Sequence, residues 1–133
     1  MIFSFEGDLW KADVNNGQAS RLTAMQGYET SPRVSPDGKW IAFSGRQYGN
    51  TDVFVMAANG GEVRQITYHS GGDEVTSWSW DSKYIYFNSG RMGQIAGIEV
   101  KASATVDGKD FKGLRHLQET ESPLFQRGIV LYA

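Results

Sequence analysis

The sequence predicts an all-β fold of repeated antiparallel sheets, and three observations carry that expectation. Sixteen glycines are scattered among short β-branched and aromatic runs, the mark of many strands joined by tight turns. No segment holds an apolar stripe at a period of about 3.6 residues over a helical length. The chain also repeats itself at a spacing of 44 residues, which aligns Asp8 with Asp52, Leu9 with Val53, Thr23 with Thr67, Asp37 with Asp81, Lys39 with Lys83, Ile41 with Ile85 and Phe43 with Phe87. So many matches in one register define a structural repeat.

One unit runs SPRVSPDGKWIAFSG, a loop, then TDVFVMAANGGEVRQIT, and the next opens TSWSWDSKYIYFNSG. Ile41 and Phe43, then Val53 and Val55, place apolar side chains on one face at period two. Asp37-Gly38 and Asn59-Gly60-Gly61 supply the positive-φ turns that hairpins need. Each unit is therefore a four-stranded antiparallel meander, the size of one propeller blade. The expected organisation is a single β-propeller segment over 1–133, with blade repeats at about 2–30, 31–75 and 76–121 and a further blade starting in 122–133.

The third repeat is eroded. Glu121-Ser122-Pro123-Leu124-Phe125 and Gly128-Ile129-Val130-Leu131-Tyr132 echo Thr30-Ser31-Pro32-Arg33-Val34 and the run from Gly38 through Trp40 to Phe43, while Arg115-His116-Leu117 echoes Arg64-Gln65-Ile66. The interval from Thr67 to Gln118 is 51 residues, and the extra length falls in Ser103 to Asp110, where Val106-Asp107-Gly108-Lys109 reads as a lengthened hairpin. A strand is expected over Ala96 to Ala102. The chain then starts at the second strand of a blade (Ile2 to Phe5) and ends with the first two of another (Ser122 to Gln126 and Ile129 to Ala133), giving about thirteen strands.

Composition narrows the function. With 40% hydrophobic and 13% aromatic residues the 133-residue chain fills a core without cofactors or staples. A net charge of -2 without a basic block provides no footprint for a phosphate backbone, so nucleic acid is not an expected partner. The absence of cysteine excludes disulfides, thiolate catalysis and cysteine zinc sites, and leaves the redox compartment open. Apolar runs are far too short to span a membrane as helices, and Met1-Ile2-Phe3-Ser4-Phe5 lacks the regions of a signal peptide.

The stretches SPDGKWIAF, GNTDVFVM and GGEVRQIT resemble the WD40-like propeller repeats of the TolB and tricorn protease families. EGDLWKADVNNGQASRLT followed by GYETSPRVSPDGKWIAFSG is most similar to the N-terminal propeller of tricorn-like proteases, over about residues 2–95. The resemblance implies a propeller that is itself non-catalytic. In the tricorn family it implies a scaffold and substrate gate beside a separate serine protease domain; in TolB, a periplasmic protein-binding platform. The protease core, PDZ-like module and second propeller have no counterpart in this sequence, so protease activity does not carry over. By the same resemblance the expected location is the bacterial periplasm or cell envelope.

Other constellations read more simply as structure. Gly71-Gly72-Asp73-Glu74-Val75 resembles the signature of diguanylate cyclases, which needs an α/β context absent here. His69 and Asp73 make two metal ligands without a third, and the plainer expectation is a solvated loop with an Asx-type turn at Asp73. His116 reads as a surface histidine on an outer strand. No GxSxG elbow occurs, and neither His69 nor His116 has an evident nucleophile on its face. Asp37 and Asp81 are equivalent turn residues whose carboxylates accept hydrogen bonds from their own turns. Trp40, Trp78 and Trp80 suit sugar stacking, but inter-blade packing claims at least two of them.

Antiparallel connectivity brings the loops at Met25–Glu29, Arg46–Thr51, Tyr68–Glu74 and Arg91–Gln94 to one rim. Their Tyr28, Glu29, Arg46, Tyr48, His69, Asp73, Glu74 and Arg91 form the candidate rim for a protein or peptide partner, with no catalytic residue, metal or cofactor expected. Three blades cannot close a ring. Two arrangements answer that problem: a fragment of a larger propeller, or a homodimer whose chains join head to tail in a six-bladed ring. The first-choice function is a non-catalytic binding module. The alternative is the substrate-gating propeller portion of a tricorn-like serine peptidase; a carbohydrate-active propeller would need a carboxylate and histidine cluster that the sequence does not assemble.

Overall fold

The computed structural model describes residues 1–90 and, beyond them, two strands over 94–101 and 125–132. The strands are β1 (Ile2–Phe5), β2 (Asp8–Ala12), β3 (Ala19–Arg21), β4 (Glu29–Val34), β5 (Trp40–Gly45), β6 (Asp52–Ala57), β7 (Arg64–Gln65), β8 (Asp73–Trp78), β9 (Tyr84–Ser89), β10 (Gln94–Lys101) and β11 (Phe125–Tyr132). They form three sheets in the orders β1-β2-β3, β4-β5-β6-β7 and β11-β10-β9-β8, here called blades I, II and III. The all-β, partial-propeller expectation holds. Pairing is antiparallel throughout except between β10 and β11.

The turns follow their residues. Gly38, Gly60 and Gly61 all have positive φ, as the DG and NGG sequences require. Asp37 Oδ1 accepts the Lys39 N–H at 3.1 Å and the Ser35 hydroxyl at 2.6 Å, and Asp81 Oδ1 accepts the Lys83 N–H at 3.3 Å and the Ser79 hydroxyl at 2.6 Å. The Ser35 hydroxyl and then the Lys39 amide hold the Asp37 carboxyl below its ordinary pKa. In β4 the ladder skips from Thr30 to Arg33, because Pro32 has no N–H to give and Ser31 adopts a φ of 53°.

Blade II is apolar on both faces, and this organises the molecule. The Ile41–Met56 and Phe43–Phe54 pairs point toward blade I, where they meet buried Leu9 and half-buried Ile2 and Leu22. Ala42, Val53, Val55 and Ile66 point toward blade III and pack with Val75, Trp78, Ile85 and Phe87. The alternations at Ile41/Phe43 and Val53/Val55 thus lie on opposite faces, not on one, because the cross-strand register sets Phe43 opposite Phe54 and Ala42 opposite Val55. Phe43 and Phe54 stack with ring centroids 5.6 Å apart.

Polar bonds close the seam between blades II and III. Trp78 Nε1 donates to the Arg33 carbonyl at 2.8 Å, Arg33 Nε donates to the Thr76 carbonyl at 2.8 Å, and the Val75 N–H donates to Ser44 Oγ at 2.9 Å. Trp78 is core and Trp40 packs against that core, whereas Trp80 is 89% exposed.

The C-terminal strands differ from expectation. Two strands, Ser122 to Gln126 and Ile129 to Ala133, are expected; instead Phe125–Tyr132 is one strand, parallel to β10, with Gly128 opposite Gly97 and Ile129 opposite Ile98. The outer edge of β10 carries a row of N–H and C=O groups that need partners, and the β-branched run Gly128 to Tyr132 can supply them. The strand expected at Ala96–Ala102 is β10, Gln94–Lys101. Eleven strands stand among the described residues, against about thirteen expected. The lengthened hairpin at Ser103–Asp110 and the Arg115-His116-Leu117 echo lie outside the described residues.

Phe43→Ala, which empties the centre of the contact between blades I and II, is expected to destabilise the chain by about 3–5 kcal/mol in denaturant unfolding. Trp80→Ala is expected to change stability by no more than about 0.5 kcal/mol. Comparable losses from the two would contradict the assignment of core and surface.

Candidate functional site

The loops on one rim are tied to one another by main-chain hydrogen bonds that repeat with the blades. The Glu29 N–H donates to the Gly7 carbonyl at 2.7 Å, and its repeat equivalent, the Asp73 N–H, donates to the Thr51 carbonyl at 2.8 Å. The Arg46 N–H reaches the Tyr28 carbonyl at 3.1 Å, and the equivalent Gly90 N–H reaches the Gly72 carbonyl at 2.7 Å. Asn50 Nδ2 adds a bond to the His69 carbonyl at 2.8 Å. Gly27 permits the tightest approach: its φ is 99°, and a Cβ there would stand 2.5 Å from the Arg46 carbonyl oxygen.

Beneath these loops lie carboxylates. Glu29 is 0% exposed; its Oε2 accepts the Thr23 hydroxyl at 2.7 Å and its Oε1 accepts Gln47 Nε2 at 2.9 Å. The Thr23 oxygen in turn accepts the Leu9 N–H at 2.8 Å, so one carboxylate fastens blade I, blade II and the loop between β5 and β6. In blade III Asp73, also 0% exposed, accepts the Ser89 hydroxyl, while Thr67 Oγ1 accepts the Val53 N–H at 2.9 Å as Thr23 accepts that of Leu9 but donates to Asp52 Oδ1 at 3.2 Å. Asp8 and Asp52, matched in the sequence repeat, serve alike, with Arg21 2.7 Å from Asp8 and Gln65 Nε2 donating to Asp52 at 3.1 Å.

The rim residues proposed from sequence therefore divide. Tyr28 and Tyr48 are 66% and 74% exposed, and Arg46, His69 and Glu74 are exposed as well. Glu29 and Asp73 are not surface groups; they are interior acceptors that hold the loops in place. Asp73 opens β8 and is not in a solvated Asx turn. Arg91 and His116 lie outside the described residues. Tyr68, 77% exposed and anchored by its hydroxyl to the Gln65 carbonyl at 2.9 Å, joins the rim although no sequence signal set it apart from other loop residues. Gln47 had no local signal either.

His69 Nδ1 accepts the Gly71 N–H at 2.9 Å, so that nitrogen is occupied within its own loop. Among the described residues no three His, Asp or Glu side chains gather as metal ligands, and no helix is long and apolar enough to cross a membrane. Among the described residues, what the rim offers is aromatic surface with the Arg46 guanidinium on a main-chain frame.

Residues 1–130 match the family model of the tricorn protease N-terminal β-propeller domain. The chain belongs to that family. The tricorn-type propeller is 32% identical to tricorn protease homolog 1 of Streptomyces coelicolor over 87 residues, which is 64% of this chain and 8% of that protein. It superposes on the structure of a putative TolB from Agrobacterium tumefaciens with a TM-score of 0.57 and 30% identity, covering 62% of this chain and 30% of that one. The crystal structure of the tricorn protease shares the fold at a TM-score of 0.55 and 24% identity over 62% of this chain, 9% of that chain. The tricorn-type propeller thus spans less than a third of each of these proteins.

Burial, opposed by the Thr23 and Gln47 hydrogen bonds, raises the Glu29 carboxyl above its ordinary pKa of 4.5. A raised folded-state pKa means that the folded chain holds this proton more tightly than the unfolded one. The contribution of Glu29 is then most favourable below 4.5 and declines as pH rises through the folded value. Glu29→Gln removes that dependence, so the melting temperature of the variant relative to the parent should improve from pH 4.5 to pH 7. A difference that stays constant with pH would contradict it.

Proposed function

We propose that this tricorn-type propeller is a non-catalytic module of a larger protein and that its loop rim binds an extended segment of protein or peptide. The observation that carries this reading is the set of exposed Tyr28, Tyr48 and Tyr68 with Arg46 on loops locked by main-chain bonds. Tyrosine and arginine combine large contact area with hydrogen-bonding tips, and a frame already fixed loses little entropy on binding. A surface of this kind suits main-chain amides and mixed side chains more than it suits a reaction: His69 is engaged within its loop, and the buried carboxylates are sealed from solvent.

The match to tricorn protease homologues favours a second reading in the same geometry, in which the rim meets peptides on their way to a catalytic domain elsewhere in the protein. The likeness to TolB supports a periplasmic or cell-envelope setting.

The test is selection of a displayed random peptide library on the chain. Selected peptides should lose about 30-fold or more in affinity with the Tyr28→Ala/Tyr48→Ala pair, and a smaller amount with Arg46→Ala. Asn59→Ala, in a turn on the opposite rim, should leave binding unchanged. Peptides indifferent to the rim variants would defeat the proposal. Hydrolysis of a fluorogenic peptide panel should stay at background; turnover abolished by His69→Ala would overturn the non-catalytic reading.

A further inference from the structure

The buried carboxylates at the two joints take their donors from different places, and the difference reaches the rim. Glu29 and Gly45 face each other across β4 and β5, as Asp73 and Ser89 do across β8 and β9. Ser89 donates its hydroxyl to Asp73. Gly45 has none to give, and no side chain fits there: a Cβ would stand 2.8 Å from two ring carbons of Phe54, which is stacked on Phe43. The donor comes instead from the loop between β5 and β6. Gln47 Nε2 reaches Glu29 Oε1 at 2.9 Å, and Gln47 Oε1 fills the space over Gly45, 2.6 Å from where that Cβ would be.

This loop carries Arg46 and Tyr48. Main-chain bonds fix its ends, where the Arg46 N–H donates to the Tyr28 carbonyl and the Thr51 carbonyl accepts the Asp73 N–H. Two side-chain amides tie its tip, Gln47 to Glu29 on one side and Asn50 to the His69 carbonyl on the other. Between those ties Tyr48 is 74% exposed, and a Cβ on Gly49 would point into open space.

One atom of the Gln47 tie is unused: Oε1 is buried and accepts no hydrogen bond. A carboxylate needs the Nε2 end of that amide, whereas a carboxylic acid needs the Oε1 end. Thr23 Oγ1 already accepts the Leu9 N–H and donates to Glu29 Oε2, so a proton arriving on Glu29 belongs at Oε1, facing Gln47. There it displaces Nε2. Turning the amide over restores one bond but carries the NH2 to the place beside Gly45 and Phe54 where no hydrogen bond is made, and an unpaired buried donor is costly. Burial above all, with Asp8 on β2, favours the acid form; the Thr23 and Gln47 bonds and Arg21 on β3, itself 2.7 Å from Asp8, oppose it. On the flanking turn and loop, Glu6 and Arg46 are exposed to solvent.

We propose that Gln47 is a positioning residue that couples the Glu29 carboxyl to the rim, holding the loop of Arg46 and Tyr48 in place while Glu29 is ionised and releasing it when Glu29 is protonated. The coupling rests on the rim reading only in what it controls, the binding of a protein or peptide segment.

Proton–nitrogen correlation spectra of the full chain, recorded from about pH 7 to about pH 4 beside the shift of the Glu29 carboxyl carbon, test this. The Gln47 side-chain NH2 and the Tyr48 amide should move together with the Glu29 carboxyl, with a midpoint above 4.5. Glu29→Gln should abolish the movement at both. Gln47→Ala should abolish it at Tyr48 while Glu29 still titrates, a separation that a purely structural role for Gln47 does not produce. His69, whose carbonyl holds Asn50, is also ionisable, and His69→Ala should leave the Glu29-linked change intact. A Tyr48 amide that stays still while Glu29 titrates, that still moves in Gln47→Ala, or that stops moving in His69→Ala overturns the proposal. Rim-dependent peptides free of Asp, Glu and His should bind the parent about 10-fold more weakly at about pH 4 than at about pH 7, and bind Glu29→Gln equally at both. Affinity indifferent to pH in the parent overturns the proposal as well, whereas a library that yields no rim-dependent peptide defeats the rim reading and leaves the spectra to decide the coupling.

Discussion

Blade II is dry on both faces only because another blade lies against each of them. The stacked Phe43 and Phe54 rings close one contact, and Val53, Val55 and Ile66 against Ile85 and Phe87 close the other. A twisted sheet apolar on both sides has no stable existence alone, so the stacking of blades is the condition for every other feature. It sets the angle at which the loops leave the sheets and brings Thr23 and Gln47 to Glu29 from segments on either side of it. The rim is a consequence of that stacking.

Burying a carboxylate in such a place is costly unless it is hydrogen-bonded, and Glu29 and Asp73 are. Their chemistry suits the joint: a carboxylate accepts from several donors at once, so one side chain can fasten a preceding blade, a following strand and a neighbouring loop. The residue closing the first joint is longer than the one closing the second. Glu29 reaches Gln47 in the loop after β5, while Asp73 reaches Ser89 at the end of β9.

Much of this was legible in the sequence, and the failures have definite physical causes. The 44-residue register gave the repeated sheets, their turns and the equivalence of Thr23 with Thr67 and Asp8 with Asp52. It could not say that Glu29 and Asp73 are interior, because polarity within a loop reads as exposure and their partners come from distant segments. Period two gave the alternation of β5 and β6 but not their relative phase, which depends on the register between Phe43 and Phe54. Trp78 and Trp80 have the same parity along the chain, yet Trp78 ends β8 inside the core and Trp80 lies past the end of the strand. Parallel pairing of β11 with β10 joins strands distant in sequence, which no local pattern announces.

The rim loops are held by main chain and by interior side chains: Glu29 N–H on Gly7, Arg46 N–H on Tyr28, Asp73 N–H on Thr51. None of those bonds uses the side chains of Tyr28, Arg46, Tyr48 or Glu74. The part of the molecule that would choose a partner is thus separable from the part that keeps its shape. Descendants of such a domain can exchange one preference for another by altering exposed positions singly, with the scaffold indifferent to each change. A repeat that stores its geometry in the backbone leaves its outermost residues free to drift, and drift at those positions is the raw material of new specificity.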